Sequence, residues 1–106
     1  MRLAVVSSDG ENVDLHLGKG KSVYVYDYDG ELSFVEHREI EIAEDSKHQG
    51  GKVIKTCSDC DVLISAQYGF KSKIKAEDAG IKLVIDEGPV CEVLERYINH
   101  VEFMKK

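Results

Sequence analysis

The groups in this chain able to do chemistry are a loop histidine, a second histidine beside a Gly-Gly pair, a Cys-x-x-Cys pair, and a turn followed by lysines. His16 lies in Val13-Asp14-Leu15-His16-Leu17-Gly18-Lys19-Gly20. A neutral imidazole can offer a lone pair to iron or zinc; the alternative is a surface histidine in a polar loop. His48, beside Gln49-Gly50-Gly51, is a second candidate of the same kind. His37 and His100 fall at a strand end and on the last helix, where solvated side chains are the expectation.

Cys57-Ser58-Asp59-Cys60 has the spacing that lets two sulfurs turn toward one atom. One such pair without a partner pair is equally two core thiols, because Cys57 continues the apolar face begun by Val53 and Ile54, and free cysteine is among the most buried residue types. With Cys91, three cysteines could in principle hold an iron-sulfur cluster completed by an outside or histidine ligand. A structural divalent-metal site at the cysteines is a further option. A thioredoxin-type role fails in detail: there the motif opens a helix after a strand, and here it closes one. The turn Ser65-Ala66-Gln67-Tyr68-Gly69-Phe70 opens a lysine-rich helix (Lys71, Lys73, Lys75). Free backbone N–H groups at such a helix start suit an anion; the alternative is an ordinary turn with a solvated lysine face. Tyr68 would either border a pocket or pack.

These groups need a scaffold, and 106 residues supply one small domain, 1–106. The chain is 42% hydrophobic and 32% charged with a formal charge of −6, which is the composition of a globular protein. That acidic balance argues against nucleic acid as a partner, since phosphate neutralisation needs lysine and arginine. No apolar run approaches the ~20 residues that span a bilayer, so no membrane partner is expected. Met1-Arg2-Leu3-Ala4-Val5-Val6 is too short for a signal-peptide core. The expectation is a cytoplasmic protein with reduced thiols.

Along the chain, Leu3–Val6 reads as a strand covered on both faces. Ser22–Tyr28 and Leu32–Arg38, joined by Asp29-Gly30, read as a β-hairpin. The polar stretch from Glu39 to Gly51 reads as a surface loop whose acidic residues Glu39, Glu41, Glu44 and Asp45 form a solvated face. A short helix is predicted over Gln49–Ser58, a buried strand over Asp61–Ala66, and a helix over Phe70–Ala79 with Phe70, Ile74 and Ala76 inward and Gly80 at its end. A strand over Ile81–Ile85 follows. A final helix starts at Pro89 and carries an apolar stripe through Val90, Val93, Leu94, Tyr97, Ile98 and Val101. The fold class is therefore α/β with a five-stranded mixed sheet and helices on both faces. Right-handed crossovers favour the order 3-2-1-4-5 with strand 2 antiparallel.

Read in order, these segments resemble the dinitrogenase iron-molybdenum cofactor biosynthesis family, the NifX and NifB C-terminal-like domains. The resemblance is carried by Leu3-Ala4-Val5-Val6 with Ser-Asp-Gly, by Val13 to Gly20 around His16, by Asp61-Val62-Leu63-Ile64 through Gly69 to Ala79-Gly80-Ile81-Lys82-Leu83-Val84, and by Gly88-Pro89-Val90-Cys91-Glu92-Val93-Leu94. It covers nearly the whole chain. Leu17 stands where the family has Phe, Lys19 where it has Arg, and Ala66-Gln67-Tyr68-Gly69-Phe70-Lys71 where it has a more glycine-rich turn. The resemblance implies a ribonuclease-H-like three-layer fold and a non-catalytic role in carrying an iron-sulfur or iron-molybdenum cofactor precursor. It makes His16 the expected metal ligand and His48 the second. Gly18, Lys19, Gly69 and Lys71 would shape an anion-tolerant pocket, and a cluster donor or acceptor protein would be the partner.

Catalysis is not expected. A two-metal nuclease needs a carboxylate on the first strand, which here is Leu-Ala-Val-Val, and no hydrolase triad order, phosphate loop or dinucleotide glycine pattern is present. The alternative function is a metal-independent interaction or regulatory domain that uses the acidic loop and the hairpin edge.

Overall fold

The structure is a computed structural model that describes residues 1–17, 20–40 and 50–105. In chain order the described residues form Arg2–Val6 (β1), Asn12–Val13 (β2), Ser22–Tyr28 (β3), Leu32–Glu39 (β4), Gly50–Thr56 (α1), Val62–Ser65 (β5), Phe70–Asp78 (α2), Lys82–Ile85 (β6), Gly88–Pro89 (β7) and Val90–Met104 (α3). The main sheet runs β4-β3-β1-β5-β6. β5 and β6 lie parallel to β1 on one side, and β3 pairs antiparallel with β1 and β4 on the other. The hairpin turns at Gly30, whose φ of 79° lies in the left-handed region that glycine enters without a Cβ penalty.

β1 holds the centre because both of its faces are covered. Successive strand residues point to opposite sides, and Leu3, Ala4, Val5 and Val6 are all fully buried. Ala4 and Val6 join Val53 and Ile54 of α1, Ala76 of α2 and Leu63 of β5 in one apolar cluster. Leu3 and Val5 join Val62 and Ile64 of β5 and Val90, Val93, Leu94 and Tyr97 of α3 in the other. The spacing of those α3 residues, i, i+3, i+4, i+7, is the stripe a helix needs to cover one sheet face. The result is three layers, with α1 and α2 on one face of the sheet and α3 on the other.

Two features depart from the sequence expectation, the outward face of α2 and an additional pair of short strands. Of the inward residues predicted for α2, only Ala76 is buried; Phe70 and Ile74 are 76% and 44% exposed. The helix is nine residues long and its buried residue, Ala76, lies in its second half, so among the described residues its first-turn aromatic is left facing outward. α1 begins at Gly50, and the acidic residues Glu41, Glu44 and Asp45 of the predicted surface loop lie outside the described residues. The two-residue strands β2 and β7 form a separate antiparallel pair, too short to leave a periodic signal in the sequence.

An ion-pair network ties the turn between α1 and β5 to the sheet. Asp59 accepts from Arg2 Nη1 at 2.7 Å and from Arg38 Nη2 at 2.8 Å; Arg2 Nε also donates to Asp27 at 2.8 Å, and Arg38 Nη1 to the Thr56 carbonyl at 2.9 Å. Hydrogen bonds from Arg38 and then Arg2 hold the Asp59 carboxyl well below the usual carboxylate range against the cost of desolvation, and Arg2 does the same for Asp27. Carboxyls lowered in the folded state add stability above their unfolded pKa of about 4 and lose it as pH falls through the folded values.

Two stability predictions follow from this packing. Leu63→Ala, at a fully buried site, should cost roughly 2–5 kcal/mol, whereas Phe70→Ala should stay within about 0.5 kcal/mol, both read from urea midpoints. Urea stability should hold from neutral pH down to about pH 5 and fall below about pH 4. Asp59→Asn should flatten that acid limb and cost about 1 kcal/mol at neutral pH, a screened value because the carboxylate is 42% exposed.

Candidate functional site

The segment between β1 and β3 is built from short polar side chains that satisfy backbone groups. Ser7, fully buried, donates to the Asn12 carbonyl and accepts from the Gly10 N–H at 2.9 Å. Asp9 Oδ1 accepts the N–H groups of Glu11 at 2.9 Å and Asn12 at 3.0 Å, and these two bonds draw its carboxyl below the ordinary value. Ser8 and Asp14 close the next turn. Gly10 has φ of 79°, and a Cβ there would lie 2.7 Å from the Tyr24 ring. The close approach lets Tyr24 cover the loop while its other side stacks on His37 at 4.4 Å. His37, predicted to be merely solvated, is thus exposed but stacked. The loop is also tied to α3: the Val90 N–H donates to the Glu11 carbonyl at 2.8 Å, and β2 pairs with β7.

Beyond β2 the chain reaches the carboxyl end of the parallel strands and pairs with the segment leaving β5. The Ala66 N–H donates to Leu15 O at 3.1 Å and the Leu17 N–H to Gln67 O at 2.8 Å, with His16 and Gln67 in parallel register. Leu15 and Leu17 pack into the α1/α2 cluster, and His16 between them is exposed. The Gln67 carbonyl accepts a second bond, from Ser65 Oγ at 3.0 Å. Ser65 is fully buried at the end of β5, so the turn that starts α2 is anchored at its base. Crevices outside the carboxyl ends of parallel strands are where open α/β sheets bind ligands.

The turn then delivers its backbone to α2. Gly69 is the N-cap, with φ −90°, ψ 166° and no side-chain cap, and a Cβ at Gly69 would meet nothing within 4 Å. Positive φ is therefore not why glycine stands there; open space over the helix start is the feature it leaves. The first N–H groups of α2 have no intrahelical acceptor by construction and carry the positive end of the helix dipole. Lys71 is exposed in this first turn. A small cleft of about 130 Å³ borders the turn at Tyr68 and is lined further by Lys73, Glu77, Ile81, Lys82 and Leu83.

Of the predicted site residues, His16, Gly69 and Lys71 are brought to one end of the sheet through the His16–Gln67 pairing. Gly18, Lys19 and His48 lie outside the described residues. Cys57 and Cys60 are buried beneath α1 at the opposite end of β5, a four-residue strand about 13 Å long, so they cannot share a ligand with His16. Cys91 is exposed at the start of α3 on the other face. Among the described residues no three His, Cys, Asp or Glu side chains gather as a metal site. His100 is exposed and lines, with Lys82, Asp86, Arg96 and Tyr97, a cleft of about 320 Å³ between β6 and α3; His16 lines neither cleft. The anchoring bonds of Ser7, and of Ser65 to the Gln67 carbonyl within the turn already singled out, are not legible in the sequence. The available signal was a serine closing an apolar run, Ser7 after Leu3-Ala4-Val5-Val6 and Ser65 after Val62-Leu63-Ile64.

Comparison with known proteins bears on this geometry. The sequence profile of a family described as dinitrogenase iron-molybdenum cofactor matches residues 1–100. Among solved structures the chain is similar to the crystal structure of PH0822, with a TM-score of 0.79 and 20% identity, covering 94% of this chain and 92% of that one. It is also similar to the NMR structure of TM1290 from Thermotoga, described as a candidate NifB protein of the DUF35 family, with a TM-score of 0.61, 20% identity, and coverage of 92% and 87%. Identities at this level carry likeness of fold alone. No curated protein matches.

The loop geometry separates two glycines. Gly10→Ala combines positive φ with a 2.7 Å contact and should destabilise by roughly 1–3 kcal/mol. Gly69→Ala should stay within about 0.5 kcal/mol. Urea midpoints of both variants check this, and a comparable loss at Gly69 would contradict the open cap described above.

Proposed function

The chain belongs to the dinitrogenase iron-molybdenum cofactor family, and on that premise we propose that it binds and hands on an iron-sulfur or iron-molybdenum cofactor precursor without chemically transforming it. The cargo would sit at the carboxyl end of β1 and β5, with His16 as a metal ligand and the start of α2, with Gly69 and Lys71, facing its negative charge. The observation that carries this reading is the backbone pairing of residues 15–17 with 66–67, which sets the histidine two residues from an uncapped, open helix N-terminus. His48 is the proposed second ligand, and Gly18 and Lys19 are proposed to shape the pocket. A loop histidine beside helix amides holds cargo less firmly than a closed four-thiolate cage, as suits a protein that must release it to an acceptor. The proposal also takes the fold as ribonuclease-H-like and the setting as cytoplasmic.

A second reading has its own observation. The edge strand β4 exposes Leu32, Phe34 and Val35, and an unpaired apolar edge is a ready template for another chain. This supports a metal-independent interaction domain; in the leading reading, the same edge would receive the cluster donor or acceptor.

Anaerobic incubation with iron and sulfide, followed by gel filtration, metal analysis and an absorption spectrum, tests the assignment. His16→Ala should lose roughly tenfold or more of the bound cluster, and Gly69→Ala should weaken uptake while keeping wild-type stability. Wild-type uptake by His16→Ala would remove the ligand assignment. A partner captured equally with and without iron, and lost on Phe34→Glu, would favour the second reading.

A further inference from the structure

The Cys57–Cys60 pair is left over by the cluster site and lies at the opposite end of the sheet. We propose that Cys57 and Cys60 are an oxidisable dithiol that a peroxide converts to an intramolecular disulfide. Residues 57–60 form a turn closed by the Cys60 N–H donating to the Cys57 carbonyl at 2.9 Å. Such an i to i+3 turn holds its end Cα atoms within about 7 Å, overlapping the roughly 4.4–6.8 Å that a disulfide spans. Both cysteines belong to the same apolar cluster, and each thiol shifts the other's protonation. The turn is thus compatible with a disulfide, and Asp59, clamped by Arg2 and Arg38, keeps it in place.

The environment also distinguishes the two sulfurs. Cys57 is fully buried and Cys60 is 5% exposed, below a turn whose other residues, Ser58 and Asp59, are exposed. The interaction with Cys60 and then burial push the Cys57 thiol up, while the interaction with Cys57 draws Cys60 down against burial and a hydrogen bond that its thiol donates to Asp59 Oδ1 at 3.7 Å. Thiolate is the nucleophilic form, and Cys60 is the residue of the pair that keeps some solvent exposure, so a small peroxide is the reagent proposed to reach it. Cys60 is thus the attacking sulfur and Cys57 the resolving one. Cys60 thiolate attacks one peroxide oxygen and the O–O bond breaks, giving Cys60 sulfenic acid and hydroxide, which takes a proton to become water. Cys57 sulfur then attacks Cys60 Sγ and displaces hydroxide, which leaves as a second water with the Cys57 proton. Two cysteines are oxidised by two electrons and one peroxide is reduced to two waters. In a reducing compartment such a bond is transient, the pattern of sensing rather than structural disulfides.

Cys91, exposed and on the other face, is removed by Cys91→Ser to isolate the pair. That protein, reduced, freed of reductant and kept with a chelator, is treated with hydrogen peroxide, quenched with catalase, denatured and labelled with a maleimide. Two labels are expected before treatment and none after it. The intact mass should be lower by two hydrogens, the protein should stay monomeric on a non-reducing gel, and dithiothreitol should restore both labels. The proposal is overturned if both labels persist at a dose that consumes Cys91 in the wild type, if the mass rises by oxygen atoms, or if the product is an intermolecular dimer. In Cys57→Ala/Cys91→Ser, checked for folding by circular dichroism, dimedone should trap a sulfenic acid at Cys60. If that variant does not fold, the label count in Cys91→Ser decides alone.

Discussion

Everything in this fold depends on a strand that must be covered twice. Leu3, Ala4, Val5 and Val6 alternate between two apolar clusters, so β1 is stable only when α1 and α2 lie on one side and α3 on the other. Burial of these side chains contributes about 25 cal/mol per Å² of apolar surface removed from water. That requirement also orders the neighbours: the antiparallel hairpin and the parallel strands flank β1 because its two edges need partners for their backbone groups.

The same constraint creates the candidate site. A central parallel strand must leave the sheet at its carboxyl end, and here it leaves through a loop whose buried serine and capping aspartate consume its own polar groups. The loop then returns as an extension of the sheet, pairing with the exit of β5. Exposed side chains carried on such paired backbone, His16 among them, are held more firmly than on a free loop.

The two ends of β5 consequently differ in chemistry. One end brings together an imidazole, helix amides and lysines; the other holds paired thiols under a network of Arg2, Arg38, Asp27 and Asp59. At the outer edges the sheet is less guarded. β4 is exposed along most of its length, with Phe34 packed edge-on against Tyr26 at 5.4 Å, and the cleft between β6 and α3 is lined by the Asp86–Arg96 ion pair and His100.

By itself the sequence determined the α/β class, the buried first strand, the hairpin and the apolar stripe of α3, because each rests on local periodicity or on a turn such as Asp29-Gly30. Ordered motifs spread over the chain also identified the family. Periodicity misled at α2, where Phe70 and Ile74 sit on an apolar spacing but face solvent, since a helix this short has only part of its length over the sheet. Tertiary structure alone decided that Ser7 and Ser65 are buried anchors, that β2 and β7 pair, that Cys57 and Cys60 are buried far from His16, and that His16 lies beside Gln67. The two backbone pairings among them join residues distant in the chain through main-chain N–H and C=O groups, which residues of almost any type carry, so they leave no mark on residue type.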